Sequence, residues 1–254
     1  MRDVVSEQMN PDFFKRRKVD EMYKTAVILA GGKGTRLRPY TVALPKPLVP
    51  VGDKPILEII IIQLAKQGFD RIMITVNHQA DIIRAYFGNG DKWGVRIEYS
   101  LEDKPLGTMG PLSLIEEIPD DFLVMNGDVL SDIDYSAFLE EHIRLKRLFS
   151  IASYRRIQKT DYGVLNVEDH RLTGFQEKPE TQFIVSMGIY AVSKKTVSYI
   201  PKDQYFGFDM LMLNLLRNNI EVGVHEHKGY WMDIGRPDDY GQAVDDLESG
   251  VFKY

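Results

Sequence analysis

Two hydrophobic textures alternate along the chain: short unbroken apolar runs, and longer stretches with apolar positions every three to four residues. Thr25-Ala-Val-Ile-Leu-Ala30 is an unbroken run ended by Gly31-Gly32, the pattern of a strand buried on both faces. Pro55 suits a first helical position ahead of the apolar stretch 56–65, with Gly68 as its stop. Arg71 to Val76 predicts a second strand, and Gln79 to Phe87 a helix closed by Gly88. Val95 to Ser100 and Asp121 to Asn126 read as strands, separated by a short helix over Pro111 to Glu117. A helix over Tyr135 to Lys146 and a strand from Phe149 to Tyr154 follow. Strands and helices alternating at this spacing predict βαβ units, hence an α/β fold with a mainly parallel, twisted sheet flanked by helices.

The second half changes texture. Gly163 to Glu168, Leu172 to Glu177, Val185 to Val192 and Glu221 to His227 are strand-like with short connections; Val197 to Ile200 and Asp209 to Arg217 are helical in pattern. A smaller β-rich lid is expected against the carboxyl ends of the parallel strands, where open α/β sheets bind their ligands. The apolar stretch 56–65 is about half a membrane span and carries Glu58 and Gln63. Residues 1–23 lack the apolar core of a signal peptide, and their five basic side chains balance five acidic ones. They read as an extension, and the chain as a cytoplasmic one with no membrane partner.

Charge sharpens this picture. The 254 residues carry a net charge of −5, which argues against a general nucleic-acid binder. Yet residues 33–54 hold Lys33, Arg36, Arg38, Lys46 and Lys54 against Asp53 alone. The segment is a candidate polyanion site on an acidic background. The absence of cysteine excludes disulfides, iron–sulfur sites and a thiol nucleophile. The basic loop is also glycine-rich: Gly31, Gly32 and Gly34 let backbone N–H groups approach a phosphate chain. It is neither a P-loop nor a dinucleotide fingerprint, because the further glycines and the Lys-Ser/Thr pair are missing. No Gly-x-Ser-x-Gly elbow is present. His225 and His227, alone on a strand face, lack a third metal ligand.

The stretch from Leu29 to Pro50 resembles the signature of the sugar-1-phosphate nucleotidyltransferases. Further matches continue in order: Pro105–Leu112, Val124–Asp128, Tyr162–Val164, Gln176–Pro179, Ser186–Tyr190 and Trp231–Gly235. The form Leu-Gly-Thr-x-Gly-Pro-Leu is most similar to mannose-1-phosphate guanylyltransferases, with heptose 1-phosphate and amino-sugar relatives close by. The resemblance spans residues 24–241. It implies a Rossmann-like catalytic domain with a β-rich sugar-binding lid, followed by a tail over residues 242–254. It further implies that an oxygen of a sugar 1-phosphate attacks the α-phosphorus of a nucleoside triphosphate, GTP for the nearest relatives, and that pyrophosphate leaves.

Site residues carry over on the same terms. The resemblance places the nucleotide on Leu29, Ala30, Gly31, Gly32, Gly34, Thr35 and Gly107. It puts Arg36 on the pyrophosphate and Lys46 on the reacting phosphates as catalytic cations, and Mg²⁺ on Asp128 and Asp233. It gives Gly163, Glu177, Lys178 and Ser186 to the sugar phosphate; family members usually carry Asn where this chain has Ser186, which bears on which sugar is bound. Read from residue chemistry alone, Asp128 could equally start a turn and Asp233 cap one. Glu177 and Lys178 could be an exposed ion pair, and Glu102 either accepts from a guanine edge or is an exposed loop acid. A same-fold enzyme using CTP or UTP, and a catalytically silent nucleotide-sugar binder, stand as the alternatives. The resemblance leaves a homo-oligomer open.

Overall fold

The computed structural model describes residues 24–254 apart from Lys33 and His78. The expected N-terminal extension and the charge of Lys33 therefore lie outside the described residues. In chain order the strands and helices begin with β1 (Thr25–Leu29), the small β2 (Pro50–Val51) and β3 (Lys54–Pro55), α1 (Ile56–Lys66), β4 (Arg71–Val76) and α2 (Ala80–Phe87). Then follow β5 (Arg96–Leu101), β6 (Asp121–Asn126), β7 (Val129–Ser131), α3 (Tyr135–Arg144) and β8 (Phe149–Lys159). The chain closes with β9 (Val164–Glu168), β10 (Arg171–Gln176), β11 (Glu180–Ser193), α4 (Phe208–Arg217), β12 (Val222–His227), β13 (Trp231–Asp233) and α5 (Pro237–Glu248).

Seven strands form the central sheet in the order β12-β8-β11-β6-β1-β4-β5. All neighbours run parallel except β11, which is antiparallel to both β6 and β8. β1 is central because its run is apolar throughout: Ala26, Val27 and Ile28 are fully buried between two core clusters. α1 is apolar all round and is accordingly buried all round. Of its two buried polar members, Gln63 donates its amide N–H to the Ser131 carbonyl at 2.8 Å. Burial alone would raise the Glu58 carboxyl; hydrogen bonds from Tyr86, Lys92 and Trp93 outweigh it and hold the group below its ordinary value. None of the described helices is long and apolar enough to cross a membrane.

The expected β-rich lid is present as the exposed β9–β10 hairpin standing on the projecting ends of β8 and β11. The parallel strands aim their carboxyl ends at the glycine loop. Ala30 N–H donates to the Thr75 carbonyl beyond β1, and Gly127 N–H to the Leu29 carbonyl, each at 3.0 Å.

One buried group is independent of that region. His142 on α3 sits with Nδ1 2.8 Å from Ser150 Oγ on β8 and Nε2 3.4 Å from Asp121 on β6. Ser150 is 1% exposed, so this serine–histidine–carboxylate row has no substrate access and serves to tie three elements. Burial depresses the histidine's pKa, with Asp121 opposing and Arg147 adding to it. A depressed histidine stabilises the fold fully above its unfolded value of about 6.5 and loses that contribution as pH falls, by up to about 1.4 kcal/mol per pH unit. The urea midpoint is therefore expected to drop between pH 7.5 and 5.5, and to drop less in His142→Gln. Equal pH slopes in the two proteins would remove the assignment.

Candidate active site

The glycine loop turns at Gly34, whose φ of +61° starts a single 3-10 turn over Thr35–Leu37. Leu37 is fully buried and pins the turn, which leaves Arg36 pointing outward. Thr41 Oγ1 donates to the Gly34 carbonyl at 2.7 Å and steadies it from the far side. Lys46 is presented by a second short turn whose Pro47 and Leu48 are buried. Its ammonium pairs with Asp128, with the side chains 11% and 24% exposed.

Two cavities of similar size open here. The first, about 590 Å³, is lined by Leu29, Gly31, Gly32, Arg36, Gly107 and Asp128, joined by Thr75, Asn77, Glu102 and Tyr205. The second, about 560 Å³, lies between Tyr154, Trp231, Asp233, Arg156, Arg236 and the start of α5. Arg36 belongs to both linings. Ala30, Lys46 and Asp128 line a small recess of about 40 Å³ beside the first. Thr35 is exposed, and neither it nor Gly34 lines a cavity.

The first cavity owes its shape to two glycines. A Cβ on Gly31 would lie 2.5 Å from Glu102 Oε1, so a side chain there would have to push that carboxylate aside. Gly107 has φ +77°, and a Cβ there would press at 3.0–3.1 Å on the Phe206 carbonyl and the Tyr205 ring. Glu102 is not an exposed loop acid. It is 8% exposed, accepts from Leu106 N–H at 3.4 Å, and burial raises its carboxyl, with Leu106 N–H and the Thr75 hydroxyl acting the other way. Sequence alone could not separate the two readings, because the burial comes from the distant Gly31. Thr75, Asn77 and Tyr205 were not singled out by the sequence; Asn77, which donates to the Gly31 carbonyl, stands one residue beyond a strand end, the only signal it offers.

Asp128 and Asp233 come together through the antiparallel β7–β13 ladder, in which Asp233 is opposite Val129. Ile234 N–H donates to the Asp128 carbonyl at 3.0 Å. Burial and then the facing Asp128 raise the Asp233 carboxyl, against the pull of Lys46 and Arg36. The two carboxylates are close enough to act on each other's charge. Among the described residues no third Asp, Glu or His completes a protein cage. Such a pair suits a hard cation that takes its remaining ligands from phosphates and water.

Other candidates lie apart. Gly163 and Glu177 meet on the hairpin, a Cβ on Gly163 falling 3.3 Å from Glu177 Oε2. Lys178 follows in the left-handed region at φ +44°. All three are exposed and line neither cavity. Ser186 is occupied in an irregularity of β11, where its hydroxyl accepts from Gly188 N–H and donates to Tyr190, each at 3.2 Å. Gly188 is required there, with φ +73° and a Cβ position 2.5 Å from Asn126 Nδ2.

The chain matches the family described as nucleotidyl transferase over residues 25–250. It is 32% identical to the D-glycero-alpha-D-manno-heptose 1-phosphate guanylyltransferase of Aneurinibacillus thermoaerophilus, the match covering 88% of this chain and 98% of that protein. It is 35% identical to a UTP–glucose-1-phosphate uridylyltransferase of Synechocystis, over 86% of this chain but only 62% of that longer protein. Among solved structures, HddC from Yersinia pseudotuberculosis, crystallised with GMP-PN, superposes with a TM-score of 0.68 at 29% identity, over 89% of this chain and 100% of that one.

Proposed function

The chain belongs to the nucleotidyl transferase family, and from that premise we propose that it condenses GTP with a mannose- or heptose-type sugar 1-phosphate, releasing an NDP-sugar and pyrophosphate. One observation carries this: two cavities of similar size meet at Arg36, with Asp128 on one side and Asp233 on the other. That is the layout of a two-substrate site. The glycine-lined cavity takes the triphosphate and the aromatic one, walled by Tyr154 and Trp231 with ring centres 5.2 Å apart, takes the sugar.

An oxygen of the acceptor phosphate bonds to the α-phosphorus while the bond from that phosphorus to the β-phosphate bridge breaks, and pyrophosphate departs. The attacking oxygen is already anionic, so no general base is required. What opposes the reaction is repulsion between two polyanions, and the chain answers it with positioned cations. Arg36 neutralises the leaving pyrophosphate, and Lys46, held at Asp128, the reacting phosphates. Mg²⁺ bound at Asp128 and Asp233 would supply further charge neutralisation. This complete set of cations and carboxylates favours an enzyme over a silent binder, which has no use for it.

Glu102 supports guanine. Guanine offers N1–H and N2–H side by side, two donors for one carboxylate. Uracil offers a single N3–H flanked by two carbonyls that a carboxylate repels. Pyrophosphate release, measured across the four NTPs with mannose, heptose and glucose 1-phosphates, tests the reading. GTP with a manno-configured acceptor is expected to win, and Glu102→Gln to cut the GTP/UTP preference about 10- to 100-fold, or about 1–3 kcal/mol. No turnover with any pair would overturn the proposal. A UTP preference unchanged by the substitution would give the site to the uridylyl chemistry.

A further inference from the structure

Successive side chains on a strand point to opposite faces, and β8 carries two arginines in succession, Arg155 and Arg156. Arg155 faces β12 and is satisfied there, its guanidinium donating to both oxygens of Glu226 at 3.0 and 3.1 Å. Arg156 shares the other face with Tyr154, and both line the acceptor cavity. Across that cavity stands Arg236, immediately ahead of Pro237, the first residue of α5. Among the described residues neither Arg156 nor Arg236 has an ion-pair partner.

The cavity also holds Asp238 and Asp239. Their position has its own cause: they occupy the first turn of α5, where the helix dipole favours acidic side chains. The two arginines have no such local reason to be there. Planar guanidinium groups lining one polar cavity are suited to bidentate binding of an oxyanion.

We propose that Arg156 and Arg236 clamp an acidic group of the acceptor sugar, and so form part of the acceptor site. The proposal rests on the two-substrate reading above. The group is an oxyanion, supplied either by the 1-phosphate itself or by a second acid on the sugar ring.

Arg156→Gln and Arg236→Gln are each expected to raise KM for the sugar 1-phosphate at least tenfold, leaving KM for the NTP within twofold. Arg155→Gln, which removes only the pair with Glu226, should change neither. Binding gives a readout that needs no turnover. Mannose 1-phosphate should raise the melting temperature of the parent protein and of Arg155→Gln, but raise that of the two cavity variants much less, while GTP raises all four. Inorganic phosphate separates the two sources. If it competes with the acceptor and competes at least tenfold more weakly in the variants, the 1-phosphate is the group held. If it competes equally while a uronic acid 1-phosphate loses affinity in the variants, a second acid is held. Unchanged KM and unchanged thermal shifts in both cavity variants, with mannose 1-phosphate and with the uronic acid 1-phosphate alike, overturn the clamp. Absence of turnover in the parent protein would strike the proposed reaction instead, and the binding arm would still decide the clamp.

Discussion

Arg36→Ala is expected to fold and to bind GTP, yet to turn over roughly 100- to 1,000-fold more slowly, a loss of about 3–4 kcal/mol of transition-state stabilisation. Arg36 is the side chain common to both cavity linings, so it is placed to meet charge that develops between the substrates. Among the described residues it makes no ion pair, and it is exposed. Its removal should therefore cost the fold no more than about 0.5 kcal/mol. Arg36→Lys should recover only part of the rate, because an ammonium keeps the charge and loses the two-pronged geometry. Single-turnover rates with saturating substrates, together with melting temperatures, make the comparison. A near-parental kcat in the alanine variant would remove Arg36 from the chemistry.

Asp233→Asn should separate activity from stability. Burial and the facing Asp128 raise the Asp233 carboxyl in the folded state. An acid raised on folding costs stability above its unfolded pKa of about 3.9, and that cost vanishes at lower pH where the group is protonated. Asparagine removes the cost at neutral pH. The metal-free variant is expected to melt at or above the parent's temperature. Mg²⁺ should stabilise the parent by mass action and have little effect on the variant. Turnover should fall at least about 100-fold with the loss of half the carboxylate pair. A variant that melts lower without metal and still gains the full Mg²⁺ shift would show that Asp233 is structural.

The parts of the fold legible in the sequence were those whose pattern is set by the core. β1 and α1 are apolar on every side and lie where that pattern put them. β7 and β13 were not drawn, because three residues carry no period. α5 escaped because it buries only Ala243 fully and has Gly241 in its interior, so its apolar stripe is faint. The strand predicted to stop at Tyr154 continues to Lys159; beyond the core its side chains are exposed and, Ile157 apart, polar, and backbone pairing with β11 carries it on. Arg156 was hidden by that early stop. At the site, glycines and cations were visible as types at fixed spacings. The partnerships between distant segments were not: Gly31 with Glu102, Asp128 with Asp233 and Gly107 with Tyr205 exist only once the chain is folded.

The β7–β13 ladder joins residues 129–131 to residues 231–233. The two carboxylates it brings together are thus far apart in sequence. The centre proposed here is therefore an assembled one: it can form only after residues 128 and 233, more than a hundred positions apart, have been joined by that ladder.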